Sequence, residues 1–468
     1  MKGPSRTKPH RWFIHWAASL MVLLSLGILM ASLMLMRQGY VVRQGIVTGS
    51  SMEPCLRGPR LVWTCPSCSN EQEFAWDSCK SLRPFCCQFC GKTDATSGLD
   101  LVDAGHEVQM RAGERVRYAP LRFFRSMRSE EIANGMVHFS GLQRGDVVVF
   151  QEGPNSPKEI KRIVGFPGEQ LAIHSGDLFV DGERYCKTLS QALSQSILVE
   201  SWDRTNSQDM LEADANHRRK LSFSTRSSSF VDNRLARNAH DSHSIVPASD
   251  FGIAIQFANA SQNESWTIQC ALNSPAHHAS IGITYSSMVI TTPATRNSPA
   301  HHASIGITSS PGSIMIDSND STIVVPVQQN SDESRWLVIA IVDCFLLIGD
   351  ADSEWLRTPL ALLDVTSTAS DWNDQAVIDI ECQRGAISLE QALLFRDIVY
   401  RGQNDSASQT WETEDGIVLL GDNVSTSSDS RDRWSVRPSL SAIKGIVIQP
   451  DNPIELLVQQ RSATGSKL

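Results

Sequence analysis

The feature that most constrains this chain is an apolar run near its N-terminus. Trp12 to Met36 contains no Asp, Glu, Lys or Arg over 25 positions. As a helix with a rise of about 1.5 Å per residue, it would extend roughly 37 Å and cross a hydrocarbon layer of about 30 Å. We therefore predict a retained transmembrane anchor at 12–36. The alternative is a cleaved signal peptide, but the run is too long for one, and Met34-Leu35-Met36 is no small-residue cleavage site.

Charge around the anchor predicts its orientation. Four Lys or Arg residues lie within positions 1–11, whereas Arg37 and Arg43 follow the run. The positive-inside bias favours a cytoplasmic N-terminus and a single-pass protein of the cell membrane, with the remainder on the extracytoplasmic side. The net charge of -9, without a basic domain, argues against nucleic-acid binding.

A candidate nucleophile follows the anchor in Gly49-Ser50-Ser51-Met52-Glu53-Pro54. Serine is a poor nucleophile at neutral pH and needs a base within hydrogen-bond reach. The candidate base is Lys161, in the β-branched stretch around 159–165. Period-two alternation places Lys161 on the face of Ile163. That pattern alone is typical of a solvent-facing strand lysine.

Two C-x-x-C motifs lie between these residues. The four cysteines, Cys65, Cys68, Cys87 and Cys90, have the spacing of a zinc ribbon with four thiolate ligands. Such a site is structural, because no ligand position is open. Two disulfides are the alternative, which an extracytoplasmic location would permit.

Five sequence blocks occur in a fixed order behind the anchor. They are Ser51-Met52-x-Pro54, Gly113-x-Arg115-Val116, Arg144-Gly145-Asp146-Val147-Val148, Lys161-Arg162-x-Val164-Gly165-x-Pro167-Gly168, and Gly421-Asp422-Asn423 with Ser427 and Asp429-Ser430-Arg431. Together they cover about a third of the chain, and their order resembles that in bacterial signal peptidase I.

The resemblance implies a role for each matching residue. Ser51 would be the nucleophile and Lys161 the general base of a Ser/Lys dyad, without a catalytic cofactor. Ser427 would orient the lysine, and Asp429 with Arg431 would form a supporting ion pair. An ordinary lysine is protonated at pH 7, so the base role requires surroundings that favour the neutral amine.

The resemblance also implies the substrate. The family cleaves signal peptides from exported preproteins after small residues at positions -1 and -3. Met52 and nearby apolar residues would then lodge the catalytic face in the lipid bilayer. The oxyanion would be bound by the Ser51 backbone N–H and a second donor. Some family members supply that donor as a serine two residues before the nucleophile, where this chain has Gly49.

About 240 residues separate Asp181-Gly182 from the last block. Short alternating segments such as Gly252–Phe257, without a long amphipathic helix, predict an inserted β-sandwich with an unknown ligand. The run from Trp336 to Ile348 reads as buried strands. The sequence of Asn273–Thr284 recurs identically at Asn297–Thr308, which we interpret as a duplicated loop and strand.

The predicted fold class is mainly β, with an N-terminal transmembrane helix, a signal-peptidase-type catalytic core, a zinc ribbon and a β-sandwich insertion. The predicted parts are a cytoplasmic N-terminus (1–11), the anchor (12–36), the nucleophile segment (37–60), the zinc-ribbon-like insertion (61–98), the catalytic core with the base lysine (99–189), the inserted β-rich domain (190–410), the last core block (411–450) and a tail (451–468).

Two other functions fit parts of the sequence. A catalytically silent anchored scaffold could bind a surface ligand through the insertion and the zinc ribbon, but it would not need Ser51, Lys161 and Ser427 together. A self-cleaving protease of the repressor type also uses serine and lysine. The anchor and the absence of a DNA-binding pattern argue against it.

Overall fold

A computed structural model is the basis for the description of the fold. It describes residues 10–37, 42–64, 66–67, 71–76, 85–86, 93–94, 108–121, 141–174, 176–203, 212–213, 219–224, 250–258, 266–273, 278–285, 304–310, 313–318, 321–326, 335–351, 353–359, 377–383, 388–402, 406, 408–413, 416–424, 427–431, 437–450 and 452–462.

The chain begins with one long apolar helix, α1 (His10–Arg37). Its segment His15–Met34 has a mean hydropathy of 2.2 and is not covered by other described residues. Met21, for example, is 71% exposed. A helix that is apolar all round and unburied is typical of a membrane span. The helix agrees with the predicted anchor and extends slightly beyond it at both ends.

The described strands fall into three groups along the chain. The first group comprises β1 (Arg43–Ile46), β2 (Arg60–Thr64), β3 (Glu71–Ala75), β4 (Phe85–Cys86), β5 (Thr93–Asp94), β6 (Val108–Arg111), β7 (Arg115–Ala119), β8 (Val147–Phe150), β9 (Glu159–Gly165), β10 (Gln170–His174), β11 (Asp177–Val180) and β12 (Glu183–Arg184).

The second group begins after the short helix α2 (Leu189–Ser194). It comprises β13 (Ile197–Asp203), β14 (Glu212–Ala213), β15 (Arg219–Ser224), β16 (Phe251–Ala258), β17 (Trp266–Asn273), β18 (His278–Tyr285), β19 (Ser304–Ser310), β20 (Ser313–Ser318), β21 (Ser321–Pro326), β22 (Arg335–Val342), β23 (Phe345–Gly349), β24 (Glu354–Pro359), β25 (Val377–Gln383) and β26 (Ser388–Arg396).

The third group comprises β27 (Ser408–Glu412), β28 (Val418–Leu420) and β29 (Ile443–Val447), and helix α3 (Ile454–Ser462) follows it. These strands return to the first group. The six-stranded core sheet has the order β1-β7-β29-β8-β9-β28, and β27 joins a four-stranded sheet with β10, β11 and β12. The last sequence block is thereby brought beside β9, which carries Lys161.

Both faces of the core sheet are buried around β8. Val148 and Phe150 belong to one apolar cluster, and Val147 and Val149 to another. Alternate residues of a strand point to opposite faces, so a strand buried on both sides needs an unbroken apolar run. This explains why the sequence of β8 does not alternate between apolar and polar residues.

The intervening segment, which we define as residues 197–396, forms two further sheets. The orders are β13-β26-β16-β22-β23-β24 and β14-β15-β25-β17-β18-β19-β20-β21. The predicted buried strands within Trp336 to Ile348 are confirmed as β22 and β23. The β-sandwich and its boundaries at 190 and 410 stay predictions.

The internal repeat has a simple structural counterpart. Strands β18 and β19 are parallel neighbours, and Ser280 pairs with Ser304 and Ile283 with Ile307. These are equivalent positions of the two identical copies. The duplicated strands therefore lie side by side in register, and identical side chains neighbour each other along the sheet.

Helix α3 connects the intervening segment to the nucleophile segment. Its Leu457 is fully buried in the same apolar cluster as Leu193 of α2. Its Gln460 accepts a hydrogen bond from the Leu198 N–H at 2.8 Å, and its backbone oxygen accepts one from the Arg57 side chain at 2.7 Å. The residues assigned to the tail thus contain a packed helix.

One half-buried acid in the intervening segment carries a pH prediction. Burial raises the pKa of Glu200, on β13, to about 7. A raised pKa means that the folded state binds this proton more tightly, so stability falls as the pH rises from about 4.5 to 7. We expect Glu200→Gln to raise the melting temperature more at about pH 8 than at about pH 5. Equal gains at both pH values in thermal denaturation would contradict this.

Candidate active site

Residues 49–56 of the nucleophile segment form a series of turns that follows β1. Ser51 is half-buried there. Asn423 holds the segment in place, because its backbone N–H donates to the Ser51 carbonyl at 3.0 Å and its side-chain amide donates to the Ser50 carbonyl at 2.9 Å. The residues predicted to carry the nucleophile are therefore fastened directly to the last sequence block.

The absence of a side chain at Gly421 explains why the nucleophile segment and the last sequence block lie so close together. A Cβ atom at this position would collide with the backbone oxygen of Ser51 and with the side chain of Ser427. Only glycine lets the two segments meet. Gly421 therefore lies between the predicted nucleophile and the residue predicted to orient the lysine.

Lys161 is 2% exposed, and its Nζ donates to Ser427 Oγ at 2.8 Å. It lies opposite Val148 in the β8–β9 pair, on the face shared with Ile163. Period-two alternation correctly predicted that Lys161 shares a face of the sheet with Ile163. The same pattern indicated that this face, and with it the lysine, is exposed to solvent. The structure corrects that interpretation: the last block covers the strand and excludes water from the amine.

Asp429 and Arg431 form the ion pair that the resemblance implied. Two hydrogen bonds join them, Nε to Oδ1 at 2.8 Å and Nη2 to Oδ2 at 2.7 Å. Asp429 also accepts from the Gly421 N–H at 2.8 Å, and Arg431 donates to the Val424 carbonyl at 2.7 Å. The pair thus braces both ends of the turn that presents Ser427. Its role in a reaction stays a prediction.

Met52 requires a correction. The sequence analysis expected it to enter the bilayer, but it is 1% exposed and packs with Val47, Val116 and Val149. A fully buried core side chain cannot insert into lipid. Ile46, five positions before Ser51 in the sequence, is an apolar residue that does face outward, and it is 59% exposed.

Sequence reasoning assigned no role to a second buried ion pair, Arg162 with Asp422. Arg162 Nε donates to Oδ1 at 2.7 Å and Nη2 to Oδ2 at 2.6 Å, and both side chains are fully buried. Burial alone would lower the pKa of Arg162, but the Asp422 carboxylate outweighs burial and raises it. The sequence did offer one signal for this pair. Arg162 directly follows the motif residue Lys161, and Asp422 directly precedes the motif residue Asn423, so each motif has a charged residue of opposite sign beside it.

Cys55 joins the same network from the nucleophile segment. It is buried, and burial together with the neighbouring Asp422 carboxylate raises the pKa of its thiol well above the ordinary value. A thiol in this state is neutral and unreactive. Cys55 therefore contributes packing beneath the site.

The backbone N–H of Ser51 is one of the two donors predicted to bind the oxyanion, and this role stays a prediction. The Ser51 backbone N–H donates no hydrogen bond to another residue within the described part of the chain. Gly49 has no neighbouring atom within 4 Å of the position that a Cβ would take. The second donor stays unassigned.

The predicted zinc ligands Cys65, Cys68, Cys87 and Cys90 lie outside the described residues, and the zinc ribbon stays a prediction.

Comparison with known proteins adds a family match. Residues 16–251, about half of the chain, match the family described as signal peptidase, peptidase S26. The matched range includes Ser51 and Lys161 and ends before Ser427, Asp429 and Arg431. No curated protein matches the chain.

The solved structures that are similar to this chain have low TM-scores and low sequence identities. Crh5 transglycosylase in complex with NAG has a TM-score of 0.23 and 6% identity, covering 53% of this chain and 92% of that one. The CBM2 module of Lactobacillus casei BL23 phage J-1 evolved Dit has a TM-score of 0.21 and 8% identity, covering 39% and 70%. Bacillus licheniformis β-glucanase has a TM-score of 0.19 and 7% identity, covering 55% and 99%. At these scores the likenesses carry no functional conclusion.

Proposed function

This chain belongs to the signal peptidase S26 family, and on that premise we propose that it is a membrane-anchored Ser/Lys endopeptidase that removes signal peptides from exported preproteins. One observation carries the proposal. Lys161 is buried and donates to Ser427 at 2.8 Å, and Gly421 brings Ser427 against the backbone of Ser51. The nucleophile segment, the base strand and the last block thus meet at one place.

The chemistry follows from these positions. Neutral Lys161 takes the proton of Ser51 Oγ, which attacks the carbonyl carbon after a small residue of the signal peptide. The Ser51 N–H stabilises the oxyanion. Lys161 then gives its proton to the leaving amine and later activates the water that hydrolyses the acyl-enzyme. Ser427 holds the lysine, and Asp429 with Arg431 braces Ser427.

Burial favours the neutral form that Lys161 needs. A lysine at 2% exposure lacks the water that would stabilise its ammonium. A hydroxyl partner such as Ser427 orients the amine without adding a negative charge. A carboxylate partner would instead favour the charged form.

The anchor supports the substrate assignment. Helix α1 would place the catalytic core at the membrane surface, where a preprotein is tethered by its own signal peptide. In place of Met52, the outward-facing Ile46 would contact the lipid or the apolar signal peptide.

The zinc ribbon remains our proposal for the four cysteines, and metal analysis with thiol titration would separate it from two disulfides.

A direct assay tests the function. The full chain, purified in detergent, should cleave a preprotein with alanine at positions -1 and -3, and it should cleave poorly when a tryptophan replaces the -1 alanine. Ser51→Ala should give no product. Absence of cleavage by the unmodified protein, or full cleavage by Ser51→Ala, would refute the proposal.

The open position at Gly49 allows a gain-of-function prediction. Space for a side chain exists there, so Gly49→Ser should fold and add a hydroxyl donor near the oxyanion. Removing one such donor typically costs 10²–10³-fold in kcat, so adding a moderately placed one should raise kcat about 10-fold with little change in KM. Gly49→Ala is the matched control. Equal kcat values for the two variants in the preprotein assay would show that the hydroxyl contributes nothing.

A further inference from the structure

The peptide bond between Ser50 and Ser51 carries two groups that point in opposite directions. Its N–H belongs to Ser51 and is the predicted oxyanion donor, whereas its carbonyl belongs to Ser50. Both groups lie in one plane on opposite sides of the chain, because this peptide bond is trans. Whatever holds the Ser50 carbonyl therefore also sets the direction of the Ser51 N–H.

Two donors hold the Ser50 carbonyl. The backbone N–H of Glu53 donates to it at 3.1 Å and closes a turn within the nucleophile segment. The side-chain amide of Asn423 donates to it from Nδ2 at 2.9 Å. Because Glu53 belongs to the same turn, Asn423 is the donor that fixes this peptide plane relative to the core.

The backbone around Asn423 is itself firmly held. Asn423 is 1% exposed, its N–H donates to the Ser51 carbonyl at 3.0 Å, and its carbonyl accepts from the Ser427 N–H at 2.9 Å. The preceding residue, Asp422, accepts two hydrogen bonds from Arg162. The side chain of Asn423 therefore extends from a stretch of backbone that is fixed on several sides.

The other polar atom of the Asn423 side chain shows which contact matters. Oδ1 is buried and has no hydrogen-bond partner among the described residues. Rotating the amide by 180° would place this oxygen against the Ser50 carbonyl, and two acceptors cannot bond to each other. The donation to Ser50 is therefore the hydrogen bond that this side chain provides in the described part of the chain.

We propose that Asn423 is a positioning residue of the oxyanion hole, an inference that rests on the peptidase function proposed above. Its amide holds the Ser50–Ser51 peptide so that the Ser51 N–H stays directed to the side opposite Asn423, toward the substrate oxyanion. Hydrogen bonds in series polarise one another, so donation to the Ser50 carbonyl also makes the Ser51 N–H a stronger donor. A donor oriented before the reaction stabilises the transition state without a cost of reorganisation.

A substitution of similar volume removes the side-chain donor. Asn423→Leu keeps the backbone hydrogen bond to the Ser51 carbonyl and the turn bond from Glu53, so the nucleophile segment should keep its place. Loss of a whole oxyanion donor costs about 10²–10³-fold in kcat, so a donor that is only less well oriented should cost about 10-fold, with little change in KM. The measurement is preprotein cleavage by the full chain in detergent.

A sulfur-for-oxygen substrate separates the oxyanion hole from the nucleophile. One substrate is a signal-peptide ester that ends at the -1 alanine, and the other is its thionoester, in which sulfur replaces the carbonyl oxygen. In both, Ser51 Oγ bonds to the carbonyl carbon as its proton passes to Lys161, and the alcohol leaves with that proton. Sulfur is a weak acceptor, so the thionoester depends less on the Ser51 N–H.

The expected result is a difference between the two substrates. Asn423→Leu should lower kcat/KM about 10-fold for the ester and less than about threefold for the thionoester. Circular dichroism checks that the variant folds. If Asn423→Leu does not fold, Asn423→Ala removes the same donor without a branched side chain and should give the same difference.

A second asparagine provides the matched control. Asn452 also bonds to the backbone, because its Oδ1 accepts from the Ile454 N–H at 2.9 Å at the start of α3. Asn452→Leu should lower stability and leave kcat/KM for both substrates within about twofold of the unmodified protein.

The outcomes distinguish this inference from the proposed function. An unmodified chain that cleaves no preprotein would overturn both. If the unmodified chain cleaves and Asn423→Leu loses equal activity toward the ester and the thionoester, Asn423 acts on Ser51 Oγ or on the fold, and the inference alone is wrong. Unchanged kcat/KM for the ester would overturn it as well.

Discussion

Replacing Lys161 with methionine is expected to lower kcat for preprotein cleavage by about 10³- to 10⁴-fold or more, with a smaller change in KM. Methionine keeps the apolar stem and the volume of the lysine but cannot accept the proton of Ser51. Because methionine fills nearly the same space as the buried lysine, the apolar replacement should leave the core folded. The measurement is steady-state cleavage of a preprotein, with product identified by mass.

A nearby lysine provides the control for this prediction. Lys158 is exposed, immediately precedes β9 and donates from Nζ to Tyr118 Oη at 3.2 Å. Lys158→Met should leave kcat within about twofold of the unmodified protein, since an exposed side chain away from the site contributes little. If Lys161→Met retained full activity while Ser51→Ala did not, a different group would have to act as the base.

Breaking the buried Arg162–Asp422 pair is expected to destabilise the core by about 3–5 kcal/mol. Arg162→Met would leave the Asp422 carboxylate buried without its two charged hydrogen bonds of 2.7 and 2.6 Å. The uncompensated charge, and not the loss of attraction alone, causes most of this cost. Chemical denaturation followed by tryptophan fluorescence would measure the change in the free energy of unfolding.

Two further variants test whether the uncompensated buried charge, and not a general disruption of packing, causes the loss of stability. The double variant Arg162→Met with Asp422→Leu removes both charges and should recover most of the lost stability. Arg357→Met breaks the partly exposed pair with Glu354, whose atoms are 2.8 Å apart, and should cost at most about 1 kcal/mol. If the double variant were no more stable than Arg162→Met, the buried charge would not be the cause.

Local patterns predicted the elements of this protein well. The uncharged run at 12–36 corresponds to α1, and the β-branched stretches that include Val147 and Lys161 correspond to β8 and β9. The strands within Trp336 to Ile348 were also found. These predictions rest on spacing and side-chain type within a few residues, which is the range over which periodicity carries information.

Whether a side chain is buried was harder to predict than whether it lies in a helix or a strand. Lys161 looked like an exposed strand residue, and Met52 looked available to the bilayer, yet both are buried. In each case the covering residues come from distant positions. The last block, more than 250 residues beyond Lys161, supplies Ser427, and Val116 and Val149 of the core sheet pack against Met52. No local window contains that information.

By itself, the sequence determined the apolar helix, the order of the motif blocks and the residue types that a Ser/Lys peptidase would need. The tertiary structure alone decided that β28 and β29 pair with β9 and β8 across the intervening segment, which brings Ser427 to Lys161 and Asp422 to Arg162. The physical reason is that burial and charge pairing depend on which distant segments pack together, whereas helix and strand periodicity is written in neighbouring residues.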